Sequence, residues 1–252
     1  MPKDSLRRQL GAIERAAVHA WPAFATLPID GWLWRYSEGG SQRANSVATL
    51  SFTGSDVEAA IDEAERRYRR YNAAPSFQVS EIAAPNDLDR RLAARGYDVV
   101  EPCTTLVRQV RRMEERPVGL RIATDPTADW LEVYSGVVTA DRQRTAPRIL
   151  RNVPHPRAFC AVCRDGRVVS TALAVALEDI VIAECVAVRA EERRRGAATA
   201  AMQGVAAWAA EQGASVVALQ AAVDNTAAQA LYAGLGFERA GSYRMRVINS
   251  SP

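Results

Sequence analysis

The chain has 252 residues, 48% hydrophobic and 24% charged, with 15 Gly, 12 Pro and 4 Cys, the profile of a globular protein rather than a collagenous or disordered one. Of its 32 basic residues only Lys3 is a lysine, which excludes a Walker-type phosphate loop, a pyridoxal Schiff base and a buried amine nucleophile, since each needs a positioned lysine. A net charge of +3 and 2 His point to no nucleic-acid or membrane partner and no multi-histidine metal site.

No apolar run reaches the roughly 18 residues that span a bilayer, and the start MPKDSLRRQLGAIER is too charged for a signal peptide. The expectation is a cytoplasmic protein with free thiols. Leu6, Leu10, Ile13, Ala17 and Trp21 recur at helical spacing and predict an opening helix that ends near Trp21-Pro22. The runs GWLWRYSE, from Gly31, and SVATLSF, from Ser46, flank Gly39-Gly40-Ser41 and read as a hairpin. Ser55 to Glu58 has the form of a capping box opening a second helix, whose outer face interleaves Arg66, Arg67, Arg69 and Arg70 with Glu63 and Glu65 as a solvated surface would. The strand SFQVSEI, a short helix from Asn86 to Gly96 and the extended run YDVVEPCTTLVRQV follow. Arg111 to Pro117 is charged, poor in large apolar residues and closed by proline, which marks it as a linker.

Beyond it VGLRIAT predicts a strand, Ala128 to Asn152 a helical stretch, and the segments around Asp165-Gly166 a hairpin. Cys160 and Cys163 lie on one strand and point to opposite faces, so they cannot chelate one ion. IVIAECVAV is a nearly unbroken apolar strand suited to the centre of a sheet. A helix from Gly196 to Glu211, strand SVVALQAAV, helix Thr226 to Leu235 and strand SYRMRVI complete an α/β or α+β layered order. RLAARGYDVVEPCTTLVRQ, from Arg91, matches LYAGLGFERAGSYRMRVIN, from Leu231, at an offset of 140 residues. Because the preceding elements also agree in order, we read two copies of one fold, over 1–112 and 117–252.

The informative stretch is Val186 to Met202, where a buried strand ends, a basic turn follows and Gly196 opens a helix. Three consecutive arginines oppose the dipole at a helix start, and an anion there would remove the conflict. Unpaired N–H groups and the small residues Gly196, Ala197, Ala198 and Thr199 would let a phosphate approach the backbone; a solvated basic turn is the alternative.

Arg193-Arg194-Arg195-Gly196-Ala197-Ala198 resembles the signature of the GCN5-related N-acetyltransferases (GNAT), and Asn225, Ala228, Leu231, Tyr232, Gly236 and Phe237 resemble the same family's later motif. The match covers Val118 to Ile248, and the first half resembles a degenerate copy. The resemblance implies two GNAT-like domains, each a mixed, centrally splayed sheet flanked by helices. It implies an acetyltransferase that uses acetyl-CoA, needs no metal and acts on a primary amine of a small molecule, peptide or protein N-terminus, and it is compatible with a homodimer. The alternative is a CoA-binding sensor without turnover.

In such a fold acetyl-CoA would lie between IVIAECVAV and SVVALQAAV. Its pantetheine arm would pair with the backbone of Val186, Ala187 and Val188 like an added strand. Its pyrophosphate would rest on the amides of Arg194 to Thr199, with Arg189, Arg193, Arg194 and Arg195 adding charge-assisted contacts. Asn225 would bond to the arm, or act simply as a helix cap. Tyr232 matches the family's general acid. Glu184, a lone carboxylate on an apolar strand, is either the base or a structural partner for an arginine; the position where some members carry a basic glutamate holds Gln220. In the first half Leu92 stands at the position of Tyr232 and nothing resembles Arg193 to Ala198, so one cofactor per chain is expected. Trp32, Trp34, Arg35, Arg43 and Asn45 form an aromatic and polar group that reads as an interface between the halves or part of an acceptor site.

Overall fold

The computed structural model describes residues 3–248, with side chains described from Arg7 onward; the expectations for the side chains of Lys3 and Leu6 lie outside this range. Its elements in chain order are α1 (Lys3–Ala20), β1 (Ala25–Ile29), β2 (Trp32–Tyr36), β3 (Val47–Ala48), α2 (Val57–Arg69), β4 (Ser76–Ser80), α3 (Leu88–Ala94) and β5 (Asp98–Gln109). They continue with β6 (Leu120–Ala123), α4 (Ala128–Ser135), α5 (Ala140–Asn152), β7 (Arg157–Arg164), β8 (Arg167–Leu177), β9 (Ile180–Val188), α6 (Ala197–Glu211), β10 (Val216–Ala222), α7 (Thr226–Gly234) and β11 (Glu238–Val247). No described helix is long and apolar enough to cross a membrane.

One sheet of 11 strands runs through the molecule in the order β1-β2-β3-β4-β11-β5-β10-β9-β8-β7-β6. The expectation of two sheets divided at 112–117 is corrected by this order, because the halves exchange their last strands. β5 lies against β10 of the second half, and β11 lies against β4 of the first. At the centre β5 and β11 run antiparallel, with Asp98 opposite Val247 and Val107 opposite Glu238. Adding the repeat offset of 140 converts Asp98 to Glu238 and Val107 to Val247, so the central pair is related to itself by a local twofold. Two short parallel pairs, β3 with β4 and β9 with β10, stand symmetrically to either side.

The helices cover the sheet across the same boundary. α1 buries Ile13, Ala17 and Ala20 in one core with Trp130 and Tyr134 of α4, Ile149 of α5 and Ile182 of β9. Residues of α6 and α7, including Val205 and Tyr232, fill the opposite face with Val181, Ala183 and Leu219. A third core joins α2 and α3 to the first strands through Trp32, Trp34, Tyr68 and Phe77. Cys160 belongs to one face and Cys163 to the other, as strand alternation requires.

Local signals hold with three corrections. The tight hairpin of the first half turns on Asp30-Gly31 and pairs β2 with a strand absent from the sequence reading, β1, which carries Pro28 at the sheet edge where a missing N–H is harmless. The Gly39-Gly40-Ser41 segment leads instead into a 3-10 turn, Arg43–Asn45, and β2 meets β3 only at Leu33 and Ala48. The cap of α2 is Asp56, whose carboxylate accepts from the Ala59 N–H at 3.1 Å, rather than Ser55.

Candidate active site

β9 and β10 are paired in parallel only over Ile180 to Ile182 and Val216 to Ala218. Beyond Ala183 and Leu219 the two strands part, so the edges that would pair face an open wedge. β9 also bulges there, since Glu184 lies opposite Leu173 and Ala187 opposite Thr171, leaving Cys185 and Val186 to face Ala172 alone. Cys185 adopts a φ of 54°, an uncommon backbone for a non-glycine residue held inside a packed strand. The bulge redirects the backbone of Val186, Ala187 and Val188, which keeps one edge on β8 and turns the other to the wedge.

The chain then makes a turn and enters α6 through Gly196, which has a φ of 76° and no side-chain cap. Arg194 is also left-handed, with a φ of 62°. Ser170 Oγ donates to the Ala197 carbonyl at 2.7 Å and Arg164 donates to the Arg195 carbonyl at 2.8 Å, fixing the turn to β8 and β7. The carboxylates beside it are already paired, Glu191 with Arg167 at 3.1 Å and Glu192 with Arg164 at 2.9 Å and Arg195 at 3.6 Å. Arg193, Arg194 and Gly196 are exposed, and Ala198 and Thr199 partly so. First-turn amides, no acidic cap and exposed guanidinium groups therefore stand together at the start of α6. Arg189 does not join them: it donates to the Val168 carbonyl at 2.7 Å and pairs with Glu132 at 2.8 Å, which corrects the expectation of a phosphate contact.

Asn225, at the far side of the wedge, is exposed and caps α7, its Oδ1 accepting from the Ala228 N–H at 3.1 Å. Tyr232 is 7% exposed and packs edge-on against Phe237. Burial, with a smaller contribution from the charge of Glu184, pushes its hydroxyl up to about 12. Tyr232 and Glu184 thus lie within electrostatic reach although they arise on opposite faces of the sheet.

Glu184 is 8% exposed, and its two oxygens accept from Arg43 Nη1 and Nη2 at 2.6 Å each. Of the two readings left open for it, the geometry is that of an arginine's structural partner. Arg43 Nη1 also donates to Gln220 Oε1 at 3.1 Å. Counting on from the last paired residues, Ile182 and Ala218, Glu184 and Gln220 are level with each other across the wedge. Arg43 therefore braces β9 to β10 at the point where their backbone bonding has stopped. Burial opposes its charge, but Glu184 outweighs that and raises its pKa.

The network continues to a residue the sequence reading missed. Gln220 Nε2 donates to Glu14 at 3.1 Å and Thr105 Oγ1 donates to its other oxygen at 2.5 Å. Glu14 is wholly buried, and burial raises its pKa. Its position four residues after Leu10, inside the apolar stripe of α1, is the signal that could have found it. The other members of the early aromatic group are structural. Trp32 and Trp34 are core, Arg35 is buried on Ser46 and Gln78, and Asn45 ties its loop through Ser37 and Gly39.

The chain is 28% identical over 260 residues to the Uncharacterized N-acetyltransferase YobR of Bacillus subtilis (strain 168), covering 97% of this chain and 99% of that protein. Its fold is similar to that of a GCN5-related N-acetyltransferase from Kribbella flavida, with a TM-score of 0.72, 17% identity and 96% of each chain covered. It is also similar to a tandem GNAT protein from the clavulanic acid biosynthesis pathway, with a TM-score of 0.62, 15% identity, and 82% of this chain and 76% of that one covered. The family model described as "Probable histone acetyltransferase Rv0428c C-terminal" matches residues 8–246. With that match spanning nearly all of the described residues, the chain belongs to this family and is a GNAT-type N-acetyltransferase.

Proposed function

We propose that the enzyme transfers the acetyl group of acetyl-CoA to a primary amine, directly and at the single wedge between β9 and β10, with Tyr232 as general acid. The observation that carries this reading is the parting of β9 and β10 beside an uncapped, arginine-flanked start of α6. Acetyl-CoA supplies an activated thioester. The free edge of Val186 to Val188 offers N–H and C=O groups for an amide-bearing arm. The amides of Arg194 to Thr199, with Arg193, Arg194 and Arg195, suit a pyrophosphate, because a Cβ at Gly196 meets no protein atom within 4 Å and the approach is therefore open. Asn225 and Tyr232 border the inner end.

In the transfer the amine nitrogen forms a bond to the acetyl carbon, the carbon–sulfur bond breaks, and the nitrogen's proton must leave while the sulfur gains one. Tyr232 holds a hydroxyl that stays protonated at neutral pH and can donate to the departing sulfur. Glu184, with both oxygens on Arg43, keeps that guanidinium between the strands rather than accepting the amine proton; the acceptor enters as free amine or loses its proton to water. The first half holds no second wedge on this reading. The Ala84 N–H donates to the Thr49 carbonyl at 2.8 Å past the ends of the corresponding strands, and the Asp56 carboxylate sits where an anion would bind at α2. Release of CoA thiol over a panel of amines tests the proposal: turnover with at least one amine is expected, whereas a melting shift with acetyl-CoA and no thiol from any amine would contradict it.

A further inference from the structure

Where β9 and β10 part, hydrogen bonds link Glu14 of α1, Arg43 of the 3-10 turn, Glu184 of β9 and Gln220 of β10, with Thr105 of β5 joined through Glu14. These side chains differ in what they have left to offer a substrate. Glu184 has both oxygens on Arg43, Glu14 and Thr105 are wholly buried, and a guanidinium can only donate. Gln220 is only partly buried. Among the described residues its Oε1 accepts from Arg43 Nη1 alone, at 3.1 Å, and an amide oxygen has a second lone pair.

The sense of this amide is settled from both sides. Nε2 donates to Glu14 at 3.1 Å while Oε1 faces Arg43. Turning the amide over would set its NH₂ group against a guanidinium and its oxygen against a carboxylate, so both contacts would become repulsive. Gln220 therefore holds an acceptor oxygen level with Glu184 at the opening of the wedge. β10 is kept in place on its other side by pairing with β5 from Val216 to Ala222, with Gln220 opposite Thr105, so the position of that oxygen rests on the sheet.

Resting on the acetyl transfer proposed above, we infer that Gln220 Oε1 binds the acceptor nitrogen and selects primary over secondary amines. A primary amine carries two N–H groups. One donates to Gln220 Oε1 and stays on the nitrogen in the amide product. The other leaves as a proton to water while the nitrogen lone pair forms its bond to the acetyl carbon, the carbon–sulfur bond breaks and the sulfur gains the Tyr232 proton. The bond to Gln220 keeps the lone pair aimed at the carbon throughout. A secondary amine has a single N–H, which must leave, so it loses that hold before the reaction is complete. The amide oxygen is too weak a base to take the proton itself.

The thiol-release assay compares n-butylamine, benzylamine and glycinamide with their N-methyl derivatives, alongside calorimetric binding of acetyl-CoA. The parent enzyme should favour each primary amine in kcat/KM, and Gln220→Leu should lower that preference about tenfold, the scale of one hydrogen bond, with affinity for acetyl-CoA unchanged. Gln220→Glu, which shares one proton with Glu14 as adjoining carboxyl groups do, still presents an oxygen to the acceptor and should keep the preference. Because Gln220→Leu strips a buried carboxylate of a donor, the double variant Glu14→Leu with Gln220→Leu removes both partners; it should show the same loss and decides the matter if the single variant does not fold. A preference equal in the parent and the leucine variants, a Gln220→Glu variant that loses it, or a fall in acetyl-CoA affinity that matches the fall in turnover would overturn the assignment and leave acetyl transfer standing. No thiol from any primary amine would instead remove the reading on which it rests.

Discussion

On the proposed mechanism Tyr232 carries the chemistry of the wedge while Arg43 sets its geometry, and each can be changed without the other. Tyr232→Phe keeps the ring against Phe237 and removes the hydroxyl, so folding and acetyl-CoA binding should survive while kcat falls about 10²- to 10⁴-fold, the usual contribution of a general acid. Because the hydroxyl is raised to about 12, the folded enzyme holds this proton after an ordinary tyrosine at about 10 has released its own. The rate of the parent enzyme should therefore rise as the acceptor amine deprotonates and decline only near pH 12; the same shift contributes stability that is complete below about pH 10 and lost above it. A rate profile of Tyr232→Phe that keeps the alkaline decline would assign that limb to another group. Arg43→Ala leaves a carboxylate at 8% exposure without its partner, and should cost about 3–5 kcal/mol in urea unfolding. Arg43→Lys should recover part of the stability but not the bridge, since an ammonium cannot hold both Glu184 oxygens and Gln220 in one plane. Of this network the sequence names Arg43 and Gln220 separately, without joining them, and singles out Glu184, a charge alone on an apolar strand. That Arg43 reaches it across 141 positions leaves no local trace.

At the scale of elements, what is legible depends on how local the cause is. The limits Ile180 and Val188 of β9 follow from an apolar run, interrupted only by Glu184, between Glu178-Asp179 and a charged turn, and the start of α6 follows from Gly196. β1 escapes because Pro28 interrupts a run of only five residues, ATLPI, and so imitates a loop, although at a sheet edge the missing N–H is not costly. The turn before α6 gives a test that separates backbone strain from ligand contact. At a φ of 76°, with nothing within 4 Å of a new Cβ, Gly196→Ala is opposed by its left-handed backbone at about 1–2 kcal/mol, and not by crowding. Gly196→Asn should cost less, since asparagine tolerates that conformation. Both should weaken acetyl-CoA binding about tenfold, because both put a side chain where the pyrophosphate would meet the amides. Unchanged calorimetric affinity in the asparagine variant would show that the turn holds no phosphate.

For the whole molecule, the exchange of β5 and β11 makes the halves interdependent. The repeat at Arg91 and Leu231 announces two similar units, but strand periodicity specifies which residues face a core and is silent about which strand lies alongside. Hence both strands are readable and their exchange is not. A fragment of 117–252 lacks the strand that covers β10, and one of 1–112 lacks the strand that covers β4. Each should be insoluble or unfolded by circular dichroism when produced alone, and coproduction should restore a one-to-one complex; a folded, cofactor-binding 117–252 fragment would contradict the shared sheet. The pseudo-symmetry also frames the functional asymmetry, since only one of the two parallel pairs opens beside an uncapped helix. The most direct measurement is a calorimetric titration of the full chain with acetyl-CoA, repeated on Gly196→Asn and Tyr232→Phe. The account predicts one site per chain, weakened in the first variant and retained in the second; two equivalent sites, or one site indifferent to Gly196, would contradict it.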